Sequence, residues 1–129
     1  MANVRLAITT DGARSAVVSA DSASTTTDAL DLTFIRMRLT VFADDGQPLA
    51  NLTAPGGRHR IGGDTVLATG GVVLSSVTGD TLWTPRLRFE KSVEQFVTDT
   101  TYTLRLNGAR SSGTGLRTDL TLRPRPKRS

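Results

Sequence analysis

Leu30-Asp31-Leu32-Thr33-Phe34-Ile35-Arg36-Met37-Arg38-Leu39-Thr40-Val41 is the longest strand-like run in the chain, and its hydrophobic pattern changes phase halfway. Leu30, Leu32 and Phe34 share one parity, whereas Ile35, Met37, Leu39 and Val41 share the other. Successive side chains of a strand point to opposite faces, so a strict period of two cannot bury both sets on one side. The run predicts either a β-bulge near Phe34-Ile35 or a strand that crosses from one sheet to its partner there. Both are devices of sandwiches and barrels. The β-branched residues and the clean alternation within each half weigh against a helix.

Strand signals continue on both sides. Val4, Leu6 and Ile8 alternate with polar or small neighbours before Asp11-Gly12, and Ala16-Val17-Val18 is a short second candidate. Ser22 to Asp28 is polar and without period, so it reads as a loop or an irregular edge. Asp44-Asp45-Gly46-Gln47-Pro48 is a turn, followed by a short return strand from Leu49 to Thr53. Ala54-Pro55-Gly56-Gly57-Arg58-His59-Arg60-Ile61-Gly62-Gly63 is dense enough in glycine to predict a loop. Further strands are expected around Thr65–Leu67, Val72–Val77 and Thr81–Trp83. In the last third Leu87 and Phe89, then Tyr102, Leu104 and Leu106, then Leu116, Leu120 and Leu122 alternate with polar residues. Asn107-Gly108 closes the Tyr102 strand. Between Glu90 and Thr98 the spacing of Val93, Phe96 and Val97 also allows one helical turn. The reading is an all-β, antiparallel β-sandwich, Ig-like or jelly-roll-like, of about eight short strands in a single domain over residues 1–122.

Residues 123–129 form an extended basic tail: Pro124 and Pro126 bar it from a sheet interior, and Arg123, Arg125, Lys127 and Arg128 keep it solvated. Charge is unevenly spread. Residues 1–57 hold four basic against six acidic side chains, and residues 58–129 hold twelve against six. Such polarity suits a polyanion or an acidic partner. If Leu87, Phe89, Tyr102, Leu104, Leu116 and Leu120 point inward, Arg86, Arg88, Arg105, Arg117 and Arg123 share the outer parity and form a partner-binding face continuous with the tail. Arg58, His59 and Arg60 are candidate contacts on the glycine-rich loop.

Several classes of chemistry lack their residues. Cysteine is absent, which removes disulfides and thiolate metal sites. His59 is the one histidine, with no nucleophile or orienting carboxylate near it in sequence, and Glu90, Glu94 and Asp99 do not make a convincing acid pair among basic neighbours. Asp44-Asp45-Gly46 lacks the alternating oxygen ligands and closing Glu of a calcium loop. No enzyme, metal or cofactor is expected. No apolar run is long enough to span a bilayer, and the N-terminus carries no long apolar signal-type segment.

Two stretches resemble immunoglobulin-like modules. Leu39 to Ala50 looks like the strand, D-x-G-x-P turn and return strand of bacterial Ig-like repeats, and Asp99 to Leu106 is similar to the approach to their tyrosine corner. That resemblance implies a spacer, adhesion or phage-decoration unit. The expectation is a non-enzymatic structural protein of a phage or virus-like particle, made in the cytoplasm, located in the virion or assembled particle, and docking as a homo-oligomer or against other subunits, with no membrane contact. Two alternatives are a coat-type protein binding nucleic acid on its basic face, and a small-ligand or glycan module using Arg58-His59-Arg60.

Overall fold

A computed structural model describes residues 2–10, 13–25, 31–43, 45–60, 65–90, 95–120 and 122. Eight strands follow one another: β1 Ala2–Thr10, β2 Ala13–Thr25, β3 Asp31–Phe42, β4 Pro48–Arg60, β5 Thr65–Ser76, β6 Thr81–Glu90, β7 Gln95–Leu106 and β8 Ala109–Thr118. Each pairs antiparallel with its neighbours in sequence, giving one sheet in the order β1 to β8. The fold is thus all-β and antiparallel, with no helix among the described residues. The helical turn considered for 90–98 is absent at both ends, since β6 runs through Glu90 and β7 starts at Gln95. Residues 91–94, and the basic tail 123–129, lie outside the described residues.

One face of this sheet is buried although no second layer covers it. Leu32, Phe34, Met37, Leu39, Val41, Leu52, Leu74, Leu82, Leu87, Phe89, Phe96 and Leu104 form a single apolar cluster with Leu122, which follows β8. Sealing a long sheet with nothing stacked on it requires the sheet to fold over itself, a jelly-roll-like sandwich made from one continuous ladder. The Phe89 and Phe96 rings meet across β6 and β7 at 5.5 Å between centroids.

The phase change predicted in β3 is the local form of that folding. Leu32 and Phe34 point in, Ile35 and Arg36 both point out, and Met37, Leu39 and Val41 point in again. Arg36 takes up the extra residue at φ 54°. The same slip recurs in β2 between Ala20 and Ala23, in β4 between Ala54 and Gly57, and in β6 between Thr84 and Leu87. Ladder register shifts beside these points, between Thr53 and Gly56, Thr69 and Val72, Trp83 and Arg88, and Thr98 and Thr101. Asn3, at φ 56°, continues the line into β1, between Ala2 and Val4, which pair with Ser22 and Ala20. Gly70 and Gly71 supply positive φ for the bulge in β5. A transverse crease therefore crosses the sheet.

Of the glycine-rich segment 54–63 expected as a loop, residues 54–60 are instead the second half of β4, paired on both sides from Gly56 to His59, and residues 61–63 lie outside the described residues. Glycine serves close packing there. A Cβ on Gly57 would fall on the Met37 sulfur and stand 2.8 Å from the Leu67 carbonyl oxygen. Similarly, the Ser22–Thr25 stretch read as irregular completes β2.

These contacts set an order of sensitivity. Gly57→Ala should lower unfolding free energy by about 1–3 kcal/mol, since a backbone oxygen and a buried sulfur must both give way. Gly56→Ala meets only the Thr69 hydroxyl at 3.3 Å and should cost clearly less. Urea denaturation of both variants checks the ranking; equal losses would show that Gly57 is not held by packing.

Candidate functional site

Two features stand out once the core is drawn. The first is a seam. The apolar side chains that pack on the core yet stay half-exposed are Val4 and Leu6 of β1, Tyr102 and Leu106 of β7, Leu116 of β8, and Leu120 just beyond it. They belong to the two ends of the sheet, β1 and β7–β8, and among the described residues β1 and β8 are the unpaired edges. β8 does little to cover these side chains. Its residues from Ala109 to Gly115 are exposed, and Ala109, Ser111 and Gly113 stand opposite Leu106, Leu104 and Tyr102. A Cβ at Gly113 would lie 3.0 Å from the Tyr102 hydroxyl, so the ring spreads over a position with no side chain. The result is an apolar floor with a low lip.

The second feature is the cationic outer face. Arg86, Arg88, Arg105 and Arg117 all leave the outer side, but they do not form one free lattice. Arg88 is bound to Asp99 at 2.6 Å and to Glu90 at 3.6 Å. Arg117 reaches Glu90 at 3.3 Å and also donates to the Gln95 side-chain oxygen. The Asp99 carboxyl is held below the usual carboxylate range, first by the Arg88 hydrogen bond and then by its charge, and the Arg88 guanidinium is pushed up in turn. Arg105 lies on the other side of the crease, directly opposite Arg110. Their guanidinium carbons sit 6.0 and 5.9 Å from the centre of the Trp83 ring.

The trio expected as a loop contact is split by strand alternation. Arg58 and Arg60 are exposed on β4, with Arg60 3.3 Å from Asp31. His59 points the other way, is 5% exposed and places Nδ1 3.1 Å from the Thr65 carbonyl oxygen. It is therefore a core histidine, not part of an exposed contact. Arg123, Arg125, Lys127 and Arg128 lie outside the described residues. Sequence reasoning missed Arg110, yet the signal was present: the Asn107-Gly108 turn pairs Leu106 with Ala109 and so Arg105 with Arg110.

A family model described as lipopolysaccharide-assembly, LptC-related, matches residues 2–124, and the chain belongs to that family. No curated protein matches it. Among solved structures it is similar to LptH from Pseudomonas aeruginosa, described as the LptA-homologous periplasmic component of the conserved lipopolysaccharide transport device. That match has a TM-score of 0.66 at 13% identity and covers 88% of this chain and 82% of that one, a likeness of fold.

Membership in that family overturns the phage reading, with its decoration, capsid and virion assignments, and the coat-protein alternative with it. The Ig-like resemblance fails for a structural reason as well. The Asp45–Pro48 turn does join two strands, but they belong to a continuous meander rather than to two stacked sheets. Tyr102 lies mid-strand over Gly113 instead of closing a corner. Both motifs record ordinary hairpin chemistry. The ligand-loop alternative falls because Arg58-His59-Arg60 is strand.

The Arg88–Asp99 pair has a measurable signature. Asp99 has a lowered folded-state pKa, so the stability it contributes is present at neutral pH and is lost as pH falls through that lowered value. In Arg88→Gln the Asp99 carboxyl should titrate in the ordinary carboxylate range by NMR, and the stability difference from the parent should shrink on acidification. An Asp99 titration unmoved by the substitution would rule the pair out as its cause.

Proposed function

We propose that this member of the LptC-related family is a non-enzymatic lipopolysaccharide carrier of the cell envelope. Acyl chains lie in the seam between β1 and β8, and the open strand edges join it to other subunits of a transport assembly. The observation that carries the reading is the seam itself: a core whose half-exposed apolar residues are concentrated at the sheet's ends. An acyl chain placed on Tyr102, Leu106 and Leu116 gains about 0.8 kcal/mol for each methylene removed from water. A few methylenes give useful but reversible binding, as transport demands. The low lip formed by Ala109, Ser111 and Gly113 leaves room for the chain to enter from the side.

The edges supply the contacts with partners. β1 and β8 each have a single ladder neighbour, so each offers a row of backbone donors and acceptors to an added strand. The family's description as an assembly component and the similarity to a periplasmic transport component support an envelope location. Carriage of this kind needs no catalytic group.

Photo-crosslinking tests the seam. A photoreactive residue at Tyr102 or Leu116 should form a covalent adduct with lipopolysaccharide, and one at Asn51, exposed on the outer side of β4, should not. Ser111→Trp should raise the lip and reduce adducts at Tyr102 at least severalfold while leaving the circular dichroism unchanged. Equal labelling at Tyr102 and Asn51, or none at either seam position, would overturn the proposal.

A further inference from the structure

Half of the described arginines of the outer face have a carboxylate. Arg36 and Arg38 share Asp21, Arg60 has Asp31, Arg88 has Asp99 and Glu90, and Arg117 has Glu90. Arg5, Arg58 and Arg86 show no such ion pair among the described residues, but they stand singly. Arg105 and Arg110 differ. They are directly opposite each other on β7 and β8, and no described carboxylate forms a salt bridge with either. Like charges facing across a ladder are destabilising, so the pairing calls for an anion from outside.

The ring beside them adds a second requirement. Trp83 is on the outer parity of β6, flanked by Leu82 and Thr84, which point in. It is half-buried, held by the two guanidinium groups through cation–π contact. Beside it the bulge opens a groove of about 710 Å³ whose walls include Gly70, Gly71, Val73, Pro85 and Thr103. Thr103 and Ser112 continue the Trp83 row out to the β8 edge. The indole and the Thr103 hydroxyl line this groove, and Arg105 and Arg110 stand against the indole rather than in the groove wall. Together they fit a phosphorylated sugar: guanidinium groups take phosphate oxygens, while the ring and hydroxyl face the saccharide.

Position ties this groove to the seam. Arg110 and Ser112 leave the outer side of the strand whose inner side presents Ala109, Ser111 and Gly113 to the acyl floor. Adjacent strands are only about 4.8 Å apart, so a lipid whose chains lie on Tyr102 can pass its head over the β8 lip onto this patch. We propose that Trp83, Arg105 and Arg110 hold the phosphorylated saccharide headgroup of the lipid whose chains occupy the seam. This rests on the carrier reading above, and it divides one amphiphile between the two faces of β8.

Trp83 is the one tryptophan of the chain, so intrinsic fluorescence reports this site alone. The probe is a bisphosphorylated glucosamine disaccharide without acyl chains, compared with the unphosphorylated disaccharide and with inorganic phosphate. The phosphorylated sugar should shift the emission saturably, more tightly than either comparison and less tightly as salt rises. Arg105→Gln and Arg110→Gln should each weaken it about tenfold, in line with loss of a charge-assisted hydrogen bond. Arg5→Gln, at the far end of the same face, should leave it unchanged.

No saturable shift, indifference to both substitutions, or equal affinity for inorganic phosphate would overturn the assignment, the last marking a site for an adventitious anion only. The adduct at Tyr102 provides the separate readout. A silent Trp83 with labelling intact removes the headgroup site and leaves the carrier reading standing. An arginine-dependent shift without labelling supports the headgroup site and removes the seam.

Discussion

A strand can keep one side facing the core only while its residues alternate without interruption, and a single sheet folded over itself must bend. Those two demands meet at the crease. Each of β2, β3, β4 and β6 inserts an outward residue there so that its second half turns its apolar side back to the same interior. Without the slip at Ile35-Arg36, either the pair Leu32 and Phe34 or the trio Met37, Leu39 and Val41 would face solvent. Exposing either set forfeits roughly 1.5–3 kcal/mol for each large apolar side chain, more than a domain of this size can spare. The fold depends on that bend occurring in register across neighbouring strands.

A bend of this kind breaks ladder hydrogen bonds, and the broken groups need partners. Threonine supplies them. Thr84 Oγ1 lies 3.0 Å from both Thr98 Oγ1 and Thr100 Oγ1 and donates to the Thr101 carbonyl at 2.8 Å. These hydroxyls are small enough to sit beside a bulge and can act as donor or acceptor as the site requires. At one end of the sheet a similar role falls to Asp80. Its carboxylate accepts from the Asn107 backbone N–H and the Thr78 hydroxyl, tying the β5–β6 turn to the β7–β8 turn. Abundant threonine reads as bland polarity in the sequence; in the structure part of it repairs the crease.

The legible parts of the fold were those governed by local periodicity. The parity change in β3 could be located to within two residues, and the all-β class followed from the alternation elsewhere. Composition misled where it stood in for geometry. Gly56 and Gly57 read as loop because glycine is common in loops, although their use here is to let β3, β4 and β5 approach closely. His59 read as a contact because arginines flank it, although alternation alone places it on the opposite face from them. The seam had no positive signal. It exists because Ser111 and Gly113 fail to cover Tyr102, and absence of bulk in one strand has meaning only once its partner and register are known. The pairing of Arg105 with Arg110 was recoverable from the Asn-Gly turn; the approach of both guanidinium groups to the Trp83 ring was not.

An unpaired edge is a hazard, since it templates strand addition by any extended chain. β8 limits that hazard by composition. Gly113 and Gly115, the latter at φ 79°, interrupt regular pleating, and Arg110 and Arg117 place charge along the strand. None of the residues from Ala109 to Gly115 carries a large apolar side chain that would reward indiscriminate stacking. The same economy keeps the seam open, because a more hydrophobic β8 would close over Tyr102 and Leu106 and complete the core. Burial is deepest in β2 to β6, and the terminal strands remain thin, polar and half-covered. Stability is thus unevenly spread along the sheet: the central strands carry the packing that holds the crease, so the edges can be left incomplete.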